Sequence, residues 1–562
     1  FDEVTCGSCD RFAFTEESKN AYEASFQSNS WGTGSGVDYG VDSWEMDELI
    51  WRLDMAIFQA MNNNGNLGNP QDAAVIAWAK NAVSVGGVHH ENTLDPADDW
   101  WCDHDCATLH ATSAACNADP NCDWNSGQCE DDYICGTVGP AADGRVKPDL
   151  SYFIDDIHTT TWNNTYTTAF TGTSAATPEV AGALGLILEM WADTATGTNP
   201  WGRAPMGATV FERQPHAATM KALLINAARS WEFAGSADDL TRMHQGWGRP
   251  DLEAAFERAP GSLVIDEELA LVQDEVWSWK LDVAPGVDEI RATLVWLDPP
   301  KALAAAGREL INDLDLELVS PEDAMGEVGV YCGNAGLLEG MGSIVLWSGL
   351  PEQAPDCDDP GLDPSRDAVN NVENVFVREE SPGAGIASGT WTVRVKAHEV
   401  LTDGNPDDDC RGVDLDDPNA DLLCAAQGCE WDEANEVCGD PEWDVVFGLV
   451  VTGGARLGPA AASALRVGKN GGGTLRLEWQ PDCGGTATHG VYRGDLSAGY
   501  ESIAPEPDRC EVGGNGTTIP EGPGAADFFV VVPNDGVIEG GYGADRTPAP
   551  SGCFPTPPSP CK

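Results

Sequence analysis

The first residue whose surroundings could do chemistry is Ser174, in Thr171-Gly172-Thr173-Ser174-Ala175-Ala176-Thr177-Pro178-Glu179-Val180-Ala181-Gly182. It stands between a Gly-Thr pair and a small-residue run that stays apolar through Trp191. That run predicts a fully buried helix with Ser174 at its N-terminus. There the helix dipole and the free backbone N–H groups favour negative charge, which suits a serine that attacks a carbonyl and must stabilise an oxyanion. A serine at neutral pH also needs a histidine to take its proton and a carboxylate to orient that histidine. The nine histidines are at positions 89, 90, 104, 110, 158, 216, 244, 398 and 489.

These residues need elements to hold them. Phe26 to Gly36 reads as a short strand running into a glycine-rich turn, and Asp47 to Met61 has helical periodicity with Leu49, Leu53, Ile57 and Ala60 on one side. An asparagine run, Asn62-Asn63-Asn64-Gly65-Asn66, follows. Ala77 to Gly87 reads as a strand with its lead-in, and Ala217 to Ala228 as a second apolar-periodic helix. From Gly261 the texture changes to short alternating strands and turns, which predicts an all-β domain, and a smaller β domain follows residue 456.

Composition bounds the function. At 562 residues the chain should hold about three domains. A 42% hydrophobic content and 20 tryptophans supply real cores rather than disorder. Net charge is −62, from 92 acidic against 30 basic residues, which argues against nucleic acid and anionic membrane as partners. No stretch approaches the ~20 apolar residues of a membrane span. The 18 cysteines lie in short-spaced clusters, read as disulfides in an oxidising compartment and hence a secreted or cell-surface protein; zinc is the alternative, although a clean pair of C-x-x-C knuckles is lacking. One cluster lies in an acidic insertion at 98–135 and another at 407–438. Cys424-x4-Cys429-Glu430-Trp431-x6-Cys438 echoes Cys116-x5-Cys122-Asp123-Trp124-x4-Cys129, which predicts one disulfide-stapled module used twice. The start at Phe1 suggests a processed or truncated product, and the proline-rich end suggests that more follows.

The Ser174 segment resembles the nucleophile motif of subtilisin-like serine proteases, Gly-Thr-Ser-x-Ala-x-Pro-x-Val-Ala-Gly. Gly139-Pro140-Ala141-Ala142-Asp143-Gly144-Arg145-Val146-Lys147-Pro148-Asp149 resembles a second subtilase segment, although the usual Val-Ala-Pro-Gly after it is replaced by Ser151-Tyr152-Phe153-Ile154. Ala79-Lys80-Asn81 and Gly246-Trp247-Gly248-Arg249-Pro250 also resemble the family's pattern. The resemblance implies an α/β fold over 1–258, with a parallel sheet and flanking helices. It implies Ser174 as nucleophile, Asn63 as oxyanion donor, and Ser30, Trp31 and Gly32 as the lining of a polypeptide substrate cleft. The family has glycine where this chain has Asn62, so the register within the asparagine run stays open by one residue. Family order places the catalytic histidine before this asparagine, which makes His89 and His90 surface-loop residues.

Residues 259–455 resemble the jelly-roll β-sandwich appended to one subtilase subgroup. That domain binds calcium, and Asp313, Asp315 and Glu373 offer the hard oxygen ligands calcium takes. Residues 456–562 resemble a fibronectin type III-like sandwich and a proline-rich tail. In subtilases the catalytic Asp and His precede the Ser30-Trp31-Gly32 strand, and no histidine does so here. Three readings stand: a separate N-terminal fragment of the same precursor supplies them, they lie on sequence outside this chain, or the protein is an inactive scaffold capable of self-assembly or surface attachment.

Overall fold

The computed structural model describes residues 11–456 with gaps, the longest at 102–111, 193–200, 202–213, 232–241, 338–356, 358–365 and 403–429; beyond 456 it describes only the backbone of short strands. Helix α1 (Arg11–Tyr22) leads into strand β1 (Phe26–Asn29), and α2 (Val41–Leu53) into β2 (Ala56–Ala60). Strand β3 (Val83–Val88) follows, then a short helix α3 (Ser113–Cys116), a hairpin β4/β5 (Cys122–Asn125, Gln128–Asp131), and β6 (Leu150–Phe153). Strands β1, β2, β3 and β6 make one sheet in that order, parallel throughout, with Gln27 opposite Ile57, Phe58 opposite Val83 and Val85 opposite Leu150. Strands β2 and β3 are buried along their whole length, as parallel strands covered on both faces are.

The helical periodicity expected over Asp47–Met61 is cut short. Asp54 takes a left-handed conformation (φ 42°) and closes α2, and Ile57 and Ala60 are buried on β2. Ala56-Ile57-Phe58-Gln59-Ala60 is too uniformly apolar to present a polar helix face, and a run that short fits a doubly covered strand.

A mostly exposed hairpin, β7 (Ile157–Thr161) and β8 (Thr165–Phe170), precedes helix α4 (Thr173–Ala192), which packs across β1, β2, β3 and β6. The full burial expected of α4 does not occur: Pro178, Gly182, Leu186 and Glu189 form an exposed stripe. The helix buried on every residue is α5 (Ala217–Ala227). It lies between the α/β core and the strands of the next domain, which leaves it no solvent side. Two short helices, α6 (Arg242–Gln245) and α7 (Leu252–Arg258), complete this part; the Asp251 side chain caps α7 by accepting from the Ala254 N–H at 3.0 Å.

Two antiparallel sheets come next. Their strands are β9 (Leu263–Val272), β10 (Val276–Val283), β11 (Glu289–Val295), β12 (Asp313–Val319), β13 (Val330–Cys332), β14 (Val372–Arg378) and β15 (Gly389–Glu399). A small hairpin, β16/β17 (Glu430–Asp432, Val437–Gly439), is followed by β18 (Asp444–Thr452) and β19 (Ala455–Arg456). The sheets run β13-β12-β15-β10-β19 and β14-β11-β18-β9, with one core between them. In β10 the inward residues Trp277, Trp279, Leu281 and Val283 alternate with exposed ones, because that sheet has one wet face. Strand β18 sends Val445, Phe447, Leu449 and Val451 into the sandwich core and Val450 into the α/β core, so it is buried on both faces.

The repeated cysteine spacing has a backbone counterpart. In β4/β5 Trp124 stands opposite Cys129, and in β16/β17 Trp431 stands opposite Cys438. Cys116 and Cys135 are each disulfide-bonded, and Cys332 pairs with Cys357. Beyond 456, β20 (Arg466–Lys469), β21 (Thr474–Glu478), β22 (Thr488–Asp495), β23 (Ala504–Pro505), β24 (Gly516–Pro520) and β25 (Asp527–Asn534) form antiparallel sheets ordered β20-β21-β24 and β23-β22-β25.

Candidate active site

The chain leaves β1 at Ser30, β2 at Asn62 and Asn63, and β6 toward Gly172, so these residues meet beyond the carboxyl ends of the parallel strands, where open α/β sheets place their ligands. Gly172, at φ 88°, anchors the approach to α4 by donating its N–H to the Ile154 carbonyl at 2.7 Å. Ser174 then falls in the first turn, where backbone N–H groups have no carbonyl four residues back. Its Oγ donates to the Ser30 carbonyl at 3.2 Å, and Ser30 Oγ donates back to the Ser174 carbonyl at 2.8 Å.

Of the asparagine run, Asn63 is the one bonded to the residue before Ser174. Its Oδ1 accepts from the Thr173 N–H at 2.9 Å and from Thr173 Oγ1 at 3.1 Å. With the oxygen held, the amide's other end, Nδ2, is left as a donor and makes no hydrogen bond to a described residue. Asn62, at φ 131°, uses its Oδ1 on the Asn63 N–H, and Asn64 donates to the Asp72 carbonyl. Trp31 is 46% exposed, with the Arg11 guanidinium 5.3 Å from its ring centre, and its carbonyl accepts from Gln59 Nε2 at 2.6 Å. A Cβ on Gly32 would stand 2.5 Å from that of Ala74, so only glycine lets this stretch lie so close. Sequence reasoning missed Thr173 and Gln59 as the positioning groups; Thr173 lies inside the serine motif, whereas nothing local marked Gln59.

Ser174 hydrogen-bonds no histidine among the described residues. The reading of His89 and His90 as surface-loop residues needs correction. His89 is 6% exposed, stacked on Trp100 at 4.1 Å, with Nε2 3.0 Å from the Ile134 carbonyl. His90 is half-buried on Phe153, its Nδ1 2.8 Å from Asp155 Oδ1. His89 is taken up by β3's extension, where it bridges to Trp100. On α4, Glu179 is pushed up to about 8 by burial and then by the neighbouring charge of Asp155. The side chains of His104, His110 and His489 lie outside the described residues.

The expected calcium ligands gather where β12 faces β14. Asp313 Oδ2 accepts from Arg308 Nη1 at 3.2 Å and Arg366 Nη2 at 3.0 Å, and Glu373 Oε2 accepts from the Leu316 N–H at 2.6 Å. Asp313 Oδ1, both Asp315 oxygens and Glu373 Oε1 are buried without a hydrogen bond. Burial, only partly opposed by Arg366 and Arg308, raises Asp313 to about 6. Burial and then Asp313 raise Asp315 to about 8, and burial with Asp315 pushes Glu373 well above its usual range. Orphaned carboxylate oxygens fit a hard cation. Arg366 reaches both Asp313, at 3.0 Å, and Asp315, at 3.5 Å.

A first-turn serine beside an amide clamped by the preceding threonine thus stands at the end of the parallel sheet of an α/β domain. Residues 14–248 match the Subtilase family (Peptidase S8). A Dictyostelium discoideum protein described as "Serine protease/ABC transporter B family protein tagD" is 23% identical over 453 residues, covering 62% of this chain. This chain spans 23% of that protein's length. Among solved structures, the prenylagaramide maturation protease PagA aligns with a TM-score of 0.28 and 16% identity, over 44% of this chain and 66% of its own. The patellamide maturation protease PatA aligns with a TM-score of 0.26 and 17% identity, over 43% and 66%. No described helix is long and apolar enough to cross a membrane.

Proposed function

We propose that this chain carries the nucleophile and oxyanion half of a subtilisin-like serine endopeptidase. The observation that carries the reading is the clamp of Asn63 by Thr173 directly beside Ser174. A polypeptide lies along Ser30-Trp31-Gly32, Ser174 Oγ attacks the scissile carbonyl, and the developing oxyanion takes hydrogen bonds from Asn63 Nδ2 and the Ser174 N–H. The acyl-enzyme is then hydrolysed by water. The general-base histidine and its aspartate come from a segment outside this chain, read as an N-terminal fragment of the same precursor.

A fluorophosphonate probe tests this on the native, unfractionated protein, because it acylates a serine only with its base in place. Adduct on Ser174, lost in Ser174→Ala, is expected. Unmodified Ser174 in a folded protein would instead favour an inactive subtilase-fold scaffold, used for self-assembly or surface attachment. That second reading draws on the lack of a histidine bonded to Ser174 among the described residues.

Disulfide-bonded cysteines support a secreted or cell-surface location. The two core-sharing sheets support a jelly-roll sandwich at 259–455, and the last two three-stranded sheets support a fibronectin type III-like domain at 456–562. Calcium is the proposed structural ion at Asp313, Asp315 and Glu373. Chelation should lower the unfolding temperature and added calcium should restore it; an unchanged temperature would remove the ion from the reading.

A further inference from the structure

Away from Ser174, three side chains from distant parts of the chain converge where the α/β domain meets the sandwich. Asp54 closes α2, His216 immediately precedes α5, and Glu267 lies on β9. His216 Nδ1 stands 2.9 Å from Asp54 Oδ2 and 3.7 Å from Glu267 Oε2, and the three ligand atoms all lie within 4.8 Å of one another. A tetrahedral zinc with ligands at about 2.0–2.1 Å separates neighbouring ligand atoms by roughly 3.3 Å, which the two observed spacings bracket.

The far side of one of these groups is already fixed: Asp54 Oδ1 accepts from the Ala217 N–H at 2.7 Å, while main-chain bonds from the His216 N–H to Asp266 Oδ1 at 2.8 Å and from Lys19 Nζ to the Asp54 carbonyl at 3.1 Å hold the backbone on either side. Outer bonds of this kind orient metal ligands before the ion arrives. The Glu267 side chain is 2% exposed, against 21% for Asp54 and 32% for His216. The cluster is therefore closed on the sandwich side and open to solvent on the other, which gives an ion its entry and a water the fourth position. One imidazole with two carboxylates suits zinc better than calcium, which takes six to eight oxygens.

We propose that Asp54, His216 and Glu267 form a zinc site that ties the end of α2, the start of α5 and β9 together across the domain joint. The site stands apart from Ser174 and does not depend on the peptidase reading.

The test uses the full chain, stripped with a chelator and then saturated with calcium so that oxygen-only sites are filled. Zinc titration should show one equivalent bound, with a rise in unfolding temperature. The X-ray absorption spectrum of that equivalent should fit one imidazole and oxygen donors without sulfur. Glu267→Gln and His216→Ala should each weaken zinc binding by at least ~10-fold, the low end of what even outer-shell changes cost. A sulfur shell would put the ion on cysteines and overturn the proposal, as would affinity unchanged in either variant or no bound equivalent. Should a variant fail to fold, the absorption spectrum of the unaltered chain decides alone, because it reads the donor set directly.

Discussion

Asn63 and Ser174 are positioned by groups that substrate does not have to supply. The Asn63 oxygen is spent on Thr173, which leaves its donor end for the oxyanion that the proposed function requires. An interaction realised only in the transition state raises kcat rather than lowering KM. Asn63→Ala is therefore expected to cut kcat of the assembled enzyme by about 100- to 1,000-fold, with KM changed far less; steady-state kinetics on a peptide substrate would expose a KM-only effect, which would remove Asn63 from the oxyanion site. Glu179, on the same helix, is pushed from 4.5 to about 8, by burial before Asp155. Between those values the folded protein holds a proton that the unfolded chain releases, so this group's stabilisation is complete below pH 4.5 and is lost as pH rises through 8. Glu179→Gln should flatten the pH dependence of the unfolding temperature over that window and raise it above pH 8. An unaltered profile in a thermal-melt series would show that Glu179 does not titrate there.

At the scale of elements, the entry to α4 depends on one backbone conformation. Gly172 sits at φ 88°, and a Cβ there would fall 2.9 Å from Asn63 Nδ2 and 3.0 Å from its Oδ1. Gly172→Ala should lower stability by about 1–2 kcal/mol through backbone strain and also reduce kcat by displacing the amide; urea melts and turnover measured together would separate the two, and a variant with wild-type turnover would contradict the contact. The serine motif, the β1 strand and the strands after Gly261 were legible in sequence because each is a local pattern: a fixed string, a short strand running into a glycine-rich turn, alternating residues. What was not legible depends on distant neighbours. The helical period over Asp47–Met61 could not announce that Asp54 turns left-handed, or that Ala56–Ala60 would be covered on both faces. Both α4 and α5 are strongly apolar, and only the arrival of β11 and β18 decides that α5 has no exposed face while α4 keeps one. His89 is buried by Trp100, eleven residues on, through a bridge whose pairing no periodicity foretells.

At the scale of the whole molecule, the α/β domain and the sandwich share buried polar groups as well as a core. Lys80 and Asp298, both fully buried, form an ion pair across the joint, and Lys80 Nζ also donates to the Pro299 and Glu309 carbonyls at 2.7 and 2.9 Å. Asn81 Nδ2 donates to the Asp298 carbonyl at 2.9 Å, and the Asp298 N–H donates to Asn81 Oδ1 at 3.0 Å. On the other side of the joint, Asn226 of α5 donates to Thr293 Oγ1 and the Val450 carbonyl, each at 3.1 Å. The Lys80-Asn81 pair, read in the sequence as part of a family motif, thus serves to seat the sandwich. A buried pair adds little net stability when intact, but removing one partner strands the other charge without water, at a cost of about 3–5 kcal/mol. Asp298→Ala is expected to lose that much, and Asp298→Asn less, since the Asp298 backbone bonds to Asn81 remain and the amide oxygen still accepts from Lys80. Because the joint is continuous with both cores, the two domains should lose stability together, visible as one shifted transition in tryptophan fluorescence and far-ultraviolet dichroism. A sandwich that melts separately while the α/β transition stays put would mean that the joint is a contact between independent domains.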